Sequence, residues 1–163
     1  MIAKEILAGL ELFEGLPDDA QGAISVFSKE LSFAAKTTIF SPEQSSKQIF
    51  LLLRGSVRLT IFASSLSEPV TVAVLKTPGQ AFGFSSVVGQ GYYNSSAEAL
   101  TDVRVISVEG RSLMDYLEKE PAVGYIVMKR LAHVISRRLG VMRRLLLETI
   151  IDYERQASSI DEN

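Results

Sequence analysis

The sequence predicts a mainly β domain, a sandwich or barrel of short strands with helices on either side of it. Three observations carry that expectation. Between Leu31 and Val108 short apolar runs alternate with turn residues at near-regular spacing, the texture of a sandwich or barrel. Before that region, and again from Gly110 onward, apolar residues recur at helical spacing. Finally, 163 residues with 47% hydrophobic and 22% charged side chains suit one well-buried core and are too apolar for a disordered chain.

The elements follow in order. Ile2 to Leu10 reads as a short helix, and Leu12-Phe13-Glu14-Gly15-Leu16-Pro17 comes after it. Asp18 and Asp19 then suit the first turn of a second helix, where carboxylates meet the positive end of the helix dipole. That helix is expected to reach Lys29, with Ala23, Ile24 and Phe27 as its apolar face. The strands expected next are Thr37–Phe40, Gln48–Leu53, Ser56–Phe62, Val70–Leu75 and Val103–Val108. Ser41-Pro42, Gly55, Ser64–Glu68, Pro78-Gly79 and Thr101-Asp102 break them. Arg58 and Thr60 alternate with Val57, Leu59 and Ile61, so one face of that strand meets solvent. Leu113, Tyr116 and Leu117 mark a short amphipathic helix that ends at Glu120, because Pro121 lacks the N–H to continue it. Pro121 itself can open a last helix, expected to run to Arg155. The chain thus divides into a barrel with N-terminal helices over 1–120, a long helix over 121–155 and a polar tail over 156–163.

The long helix carries a seam. Met128, Ile135, Met142 and Thr149 recur every seven residues, and Ala132, Leu139, Leu146 and Tyr153 form a second series offset by four. Alternating steps of four and three make the core positions of a two-stranded coiled coil. Leu131 and Leu145 widen the stripe, so that part of the helix also covers its own barrel. A helix of this length spans ~50 Å, more than a compact domain of this size can cover. A homodimer is therefore expected, with Met128, Ala132, Ile135, Leu139, Met142 and Leu146 at the interface. Lys129, Arg130, Arg137, Arg138, Arg143 and Arg144 lie on the same helix, while all 19 acids lie outside Pro121–Leu147. The run reads first as the solvated face of a coiled coil, and secondly as an anion or nucleic-acid surface.

Composition excludes several chemistries. With no cysteine there are no disulfides, thiolate metal sites or cysteine nucleophiles. The single histidine, His133, rules out a two-histidine metal site within one chain. No Gly-rich nucleophile turn, paired-carboxylate motif or nucleotide loop of the Walker or Rossmann type is present, so an enzyme is not expected. A net charge of -2 lacks the basic footprint of a nucleic-acid binder. No run approaches a membrane span and the first residues do not resemble a signal peptide, so the expected location is the cytoplasm, away from membranes.

The ordered motifs resemble the cyclic-nucleotide-binding domains of bacterial catabolite-activator-type regulators. Leu12 to Pro17 is similar to the family's entry, and Gln48 to Val57 to its strand-glycine-strand segment with Gly55 in the tight turn. Leu75 to Gly83 resembles the lead-in to the phosphate-binding cassette, and Ala97 to Ile106 the strands that leave it. The resemblance covers about residues 10 to 145 and implies an eight-stranded double-stranded β-helix, or jelly roll, followed by a dimerising helix. In the family a glutamate after the cassette glycine holds the ribose hydroxyl, and an arginine about ten residues on clamps the cyclic phosphate. Here those positions hold Phe84 and Tyr93, with Asn94 next to it. Arg58 and Arg104, the nearest arginines, belong to other strands. The turn glycine expected after Ile39-Phe40 is replaced by Glu43. The helix-turn-helix of many relatives has no counterpart before Asn163, so specific DNA binding is not expected.

The candidate cassette is then Phe82, Gly83, Phe84, Ser85, Ser86, Tyr93, Asn94, Ser95 and Ser96, with Tyr92 adding aromatic surface. Neutral donors and aromatics suit a planar or apolar small molecule better than a phosphate. No cofactor is expected: a cyclic nucleotide finds neither of its charged clamps, and haem would have only His133, next to the helix seam. Two readings stand at this point. One is a stand-alone sensor or regulatory domain for an unidentified small ligand, binding cAMP and cGMP weakly. The other is a degenerate, ligand-free dimerisation or protein-interaction module.

Overall fold

The structure is a computed structural model that describes residues 2, 4–62, 68–89 and 91–161. Two short helices, α1 (Lys4–Leu7) and α2 (Asp18–Val26), precede eight strands: β1 (Ser28–Phe33), β2 (Thr38–Phe40), β3 (Gln48–Arg54), β4 (Val57–Ile61), β5 (Val70–Leu75), β6 (Ala81–Phe82), β7 (Ser96–Ala99) and β8 (Val103–Glu109). Helices α3 (Gly110–Lys119) and α4 (Pro121–Asp161) follow. The strands form two antiparallel four-stranded sheets, in the orders β1-β8-β3-β6 and β2-β7-β4-β5. That is the jelly roll the sequence predicts.

Side-chain alternation builds the core between the sheets. Val57 and Leu59 of β4 and Ala97 and Ala99 of β7 point inward from one sheet, against Phe50, Leu52, Val103 and Val105 of the other. Strands β3 and β8 are buried on both faces, since Ile49, Leu51, Ile106 and Val108 are also fully enclosed. Burial on both faces is why β3 reads as an unbroken apolar run from Ile49 to Leu53, whereas β4 alternates. Helices α2 and α3 pack against β1 and β8, next to that second face. The chain divides after Arg130 into two compact units, 1–130 and 131–163, so the first turns of α4 count with the barrel.

Several boundaries move. Helix α1 covers only Lys4–Leu7, turns closed by the Gly9 and Leu10 amides take the expected helix to its end, and further turns closed by the Phe13, Glu14 and Leu16 amides follow. Helix α2 stops at Val26 instead of Lys29. Ser25 Oγ donates to Gly22 O and Ser28 Oγ donates to Ile24 O, so side chains satisfy its last carbonyls. Ser28–Phe33 then pairs along its full length with Val103–Val108, and this long-range ladder overrides the local helical pattern. Strands β6 and β7 are too short to show a period of their own. Helix α4 continues past Arg155 to Asp161, since no glycine or proline stops it before then. The turn expected at Ser64–Glu68 lies outside the described residues except for Glu68, as do Glu162 and Asn163 of the tail.

Glycine is not required at every left-handed turn. Glu43 stands at φ +67° where the family resemblance implies glycine, and its amide still donates to Tyr93 O at 3.0 Å. Gly55, at φ +93°, is different: a Cβ there would lie 2.4 Å from Asp102 O. Urea unfolding should therefore show Glu43→Gly stabilising the fold by about 0.5–1 kcal/mol, relief of the left-handed penalty less the added chain entropy. Gly55→Ala should destabilise it by at least ~2 kcal/mol, because a backbone clash adds to that same penalty.

Candidate functional site

The cassette starts from a tight turn. Gly79, at φ +89°, donates to Leu52 O at 2.7 Å, and Leu52 N returns a bond to Gln80 O at 2.9 Å. This sets β6 beside β3, with Leu51 opposite Ala81 and Phe50 opposite Phe82. Glu11 holds the other edge of β6: its Oε1 accepts the Ala81 amide at 2.8 Å. Gly83 then turns left-handed, at φ +71°, and opens the single 3-10 turn Phe84–Ser86.

Four aromatic rings crowd this point. A Cβ on Gly83 would lie 3.1 Å from Phe40 Cε1, 3.1 Å from Phe50 Cδ2 and 3.3 Å from Tyr93 Cε1. The Tyr93 ring stacks on Phe40 with centroids 3.9 Å apart and planes 13° from parallel. Phe40 stacks in turn on Phe50 at 5.8 Å, and Phe50 on Phe82 at 5.3 Å. Tyr93 is 6% exposed, and its hydroxyl donates to Gln48 O at 2.9 Å. Burial pushes its phenol above the ordinary tyrosine range, against the smaller opposing effect of that bond, so the group is neutral at any physiological pH.

The segment carrying Tyr93 is fastened to one neighbour, residues 43–48. Tyr93 N donates to Gln44 O, Glu43 N to Tyr93 O and Ser46 N to Gly91 O, each at 3.0 Å, and Tyr92 bridges to Ser45.

The sequence-predicted residues thus come together only in part. Phe82, Gly83 and Tyr93 meet, joined by Phe40 and Phe50, which sequence reasoning placed on strands but not at the site. Phe84 is half-buried in the 3-10 turn and Ser85 is buried behind it. Ser86 abuts Gly110 at the start of α3, its enclosed Oγ having no hydrogen-bond partner. Asn94 and Tyr92 are exposed and Ser95 is half-buried. Ser96 alternates with inward-facing Ala97 and so shares the outer face of β7 with Glu98. The serines therefore do not converge as a ring of donors.

Neither nearby arginine substitutes for the missing clamp. Arg58 pairs with Glu98 at 2.6 Å across β4 and β7, on the outer face. Arg104 donates from Nε to Glu30 Oε1 at 2.7 Å across β8 and β1.

The family model for the cyclic nucleotide-binding domain matches residues 30–120, and the chain belongs to that family. In solved structures it is similar to a Geobacter metallireducens GS-15 protein, provisionally assigned as cyclic nucleotide-binding, with 32% identity and a TM-score of 0.74. That likeness covers 85% of this chain and 99% of the other. The CRP-like cAMP-activated global transcriptional regulator of Mycobacterium tuberculosis is 25% identical over 135 residues, 83% of this chain. The cyclic AMP receptor protein of Thermus thermophilus is 28% identical over 134 residues, 82% of this chain. The chain spans 58% and 59% of the lengths of these two curated relatives.

The two parts of Tyr93 separate by substitution. Tyr93→Phe keeps the stack and removes the hydroxyl bond, and should cost about 1 kcal/mol in thermal or urea unfolding. Tyr93→Ala removes the ring as well and should cost about 3–5 kcal/mol.

Proposed function

We propose that this chain is a regulatory sensor domain that works as a homodimer through α4 and does not hold cAMP or cGMP tightly. The observation that carries the second part is Tyr93, packed on Phe40 at 3.9 Å at the position where the family resemblance implies the phosphate-clamping arginine. A cyclic phosphate draws its strongest contacts from charge-assisted hydrogen bonds, above all a bidentate arginine. Losing that clamp is worth ~1.5–3 kcal/mol, and losing the ribose carboxylate at Phe84 a comparable amount. Together these amount to about two to four orders of magnitude in affinity. The regulatory role is carried over from relatives described as a cAMP-activated transcriptional regulator and a cyclic AMP receptor protein.

Support for the homodimer lies in the exposure of the predicted seam. Leu139 is 65% exposed, Leu146 60% and Met142 38%, and Met128 and Ala132 are exposed as well. Ile135 is half-buried. Val123, Val127, Leu131 and Val134, on a different face of the same helix, are buried. A second copy would cover the exposed seam. A ligand-free interaction module is the alternative reading, favoured by the same filled pocket; native mass spectrometry that finds a retained small molecule decides against it.

Isothermal titration of the native chain should give dissociation constants for cAMP and cGMP in the high micromolar range or weaker. Phe84→Glu with Tyr93→Arg should tighten them, each recovered contact returning ~1.5–3 kcal/mol less any strain. Submicromolar binding by the native chain would overturn the reading of this pocket. Sedimentation at micromolar concentration should show a dimer for the native chain and a monomer for Leu139→Glu, whose charge is costly to bury in the seam. A monomeric native chain would remove the dimer from the proposal.

A further inference from the structure

We infer that Tyr93 is an internal occupant of the aromatic pocket, and that the pocket takes a flat, uncharged aromatic molecule with one hydrogen-bond donor in its place. The inference rests on the proposed reading that the pocket is not a tight cyclic-nucleotide site. Its physical basis is the manner in which Tyr93 is held. The ring lies nearly parallel to Phe40, and its edge at Cε1 closes on Gly83, where a Cβ would lie 3.3 Å from it. Contact on one face and along one edge selects a planar ring. Among the described residues the side chain's hydrogen bond is that of its hydroxyl to Gln48 O, at the far end of the ring. A ligand of phenol or indole class reproduces both the stack and that bond.

The described side chains nearest Gly83 are aromatic and bring no charge to that wall. The side chains closest to Gly83 are Phe40, Phe50 and Tyr93 itself. An enclosed space lined by such groups stays dry and accepts a small aromatic. The segment that places Tyr93 there, Gly91–Ser95, is irregular chain up to the start of β7. Among the described residues its backbone bonds run to residues 43–46, and a Cβ on Gly91, at φ +72°, would meet nothing there within 4 Å. Lifting this segment breaks those few bonds and the single Tyr92–Ser45 bridge but no pairing of the named strands, and it leaves Phe40 and Phe50 as a ready stacking surface.

Tyr93→Gly in the full chain removes the occupant and keeps the pocket. The probes are p-cresol, which is the missing side chain, toluene, which lacks the donor, and 4-methylcyclohexanol, which lacks the planar ring. Titration calorimetry should show saturable one-to-one binding of p-cresol. Its affinity should exceed that of toluene by about fivefold, the worth of one neutral hydrogen bond. It should exceed that of 4-methylcyclohexanol by about three- to tenfold, the worth of an aromatic stack. Tyr93→Leu, which refills the space, should bind none of the three. A folded Tyr93→Gly chain that binds no p-cresol, or binds all three probes equally, overturns the inference. If Tyr93→Gly does not fold unaided, the probes are added during refolding, and failure of p-cresol to restore the fold has the same meaning. The cyclic-nucleotide titration of the native chain reads the proposed function separately, so the two can fail independently.

Discussion

The approach of three aromatic rings to the backbone at Gly83 is the constraint on which the candidate site depends. With Phe40 and Phe50 carbons 3.1 Å from where a Cβ would stand, a side chain there would be tightly crowded, and the left-handed turn of Gly83 ends β6 and aims the chain into the 3-10 turn after it. The same contacts fix where Tyr93 can lie, because its ring is the third member of the group. Its stack on Phe40 and its bond to Gln48 O then hold the Gly91–Ser95 segment against residues 43–48. An aromatic pair contributes about 0.5–1.5 kcal/mol beyond simple burial.

Charge is arranged differently from what a phosphate site needs. The arginines of the barrel sheets nearest the cassette in sequence, Arg58 and Arg104, are paired with Glu98 and Glu30 on solvent-facing surfaces, where such pairs contribute little to stability. The contacts that organise the cassette are bonds to backbone groups. Glu11 accepts the amide of Ala81 just before Gly83, and Arg130 at the head of the long helix donates to the carbonyls of Leu12 and Glu14. The N-terminal segment thus ties the lead-in of the cassette to the first turns of α4.

Much of this was legible in the residues. The strands with clear alternation or bounded apolar runs, β3, β4, β5 and β8, lie within a residue or two of their expected limits, and the jelly roll follows the order of the motifs. What failed were segments governed by distant partners. Ser28–Phe33 follows directly on a helical pattern and becomes a strand only because β8 pairs with all of it. At the site, Phe82, Gly83 and Tyr93 were found because the family pattern assigns those places. Phe40 and Phe50 were missed as pocket residues because nothing in sequence separates an inward strand aromatic from one that reaches the cassette. The serines looked like a cluster along the chain, but strand alternation sends Ser96 to the outer face and the 3-10 turn packs Ser86 against Gly110. Left-handed Lys36 and Glu43 gave no local signal, since neither is glycine or asparagine.

The central claim is that the chain's own Tyr93 ring, and no nucleotide, occupies the aromatic pocket. Proton NMR of the aromatic region tests it most directly, through the nuclear Overhauser contacts between the Tyr93 and Phe40 rings in the presence of millimolar cAMP. The account predicts strong contacts between the two rings that are unchanged by the nucleotide. Loss of those contacts on adding cAMP, with new ones from either ring to the adenine protons, would contradict it.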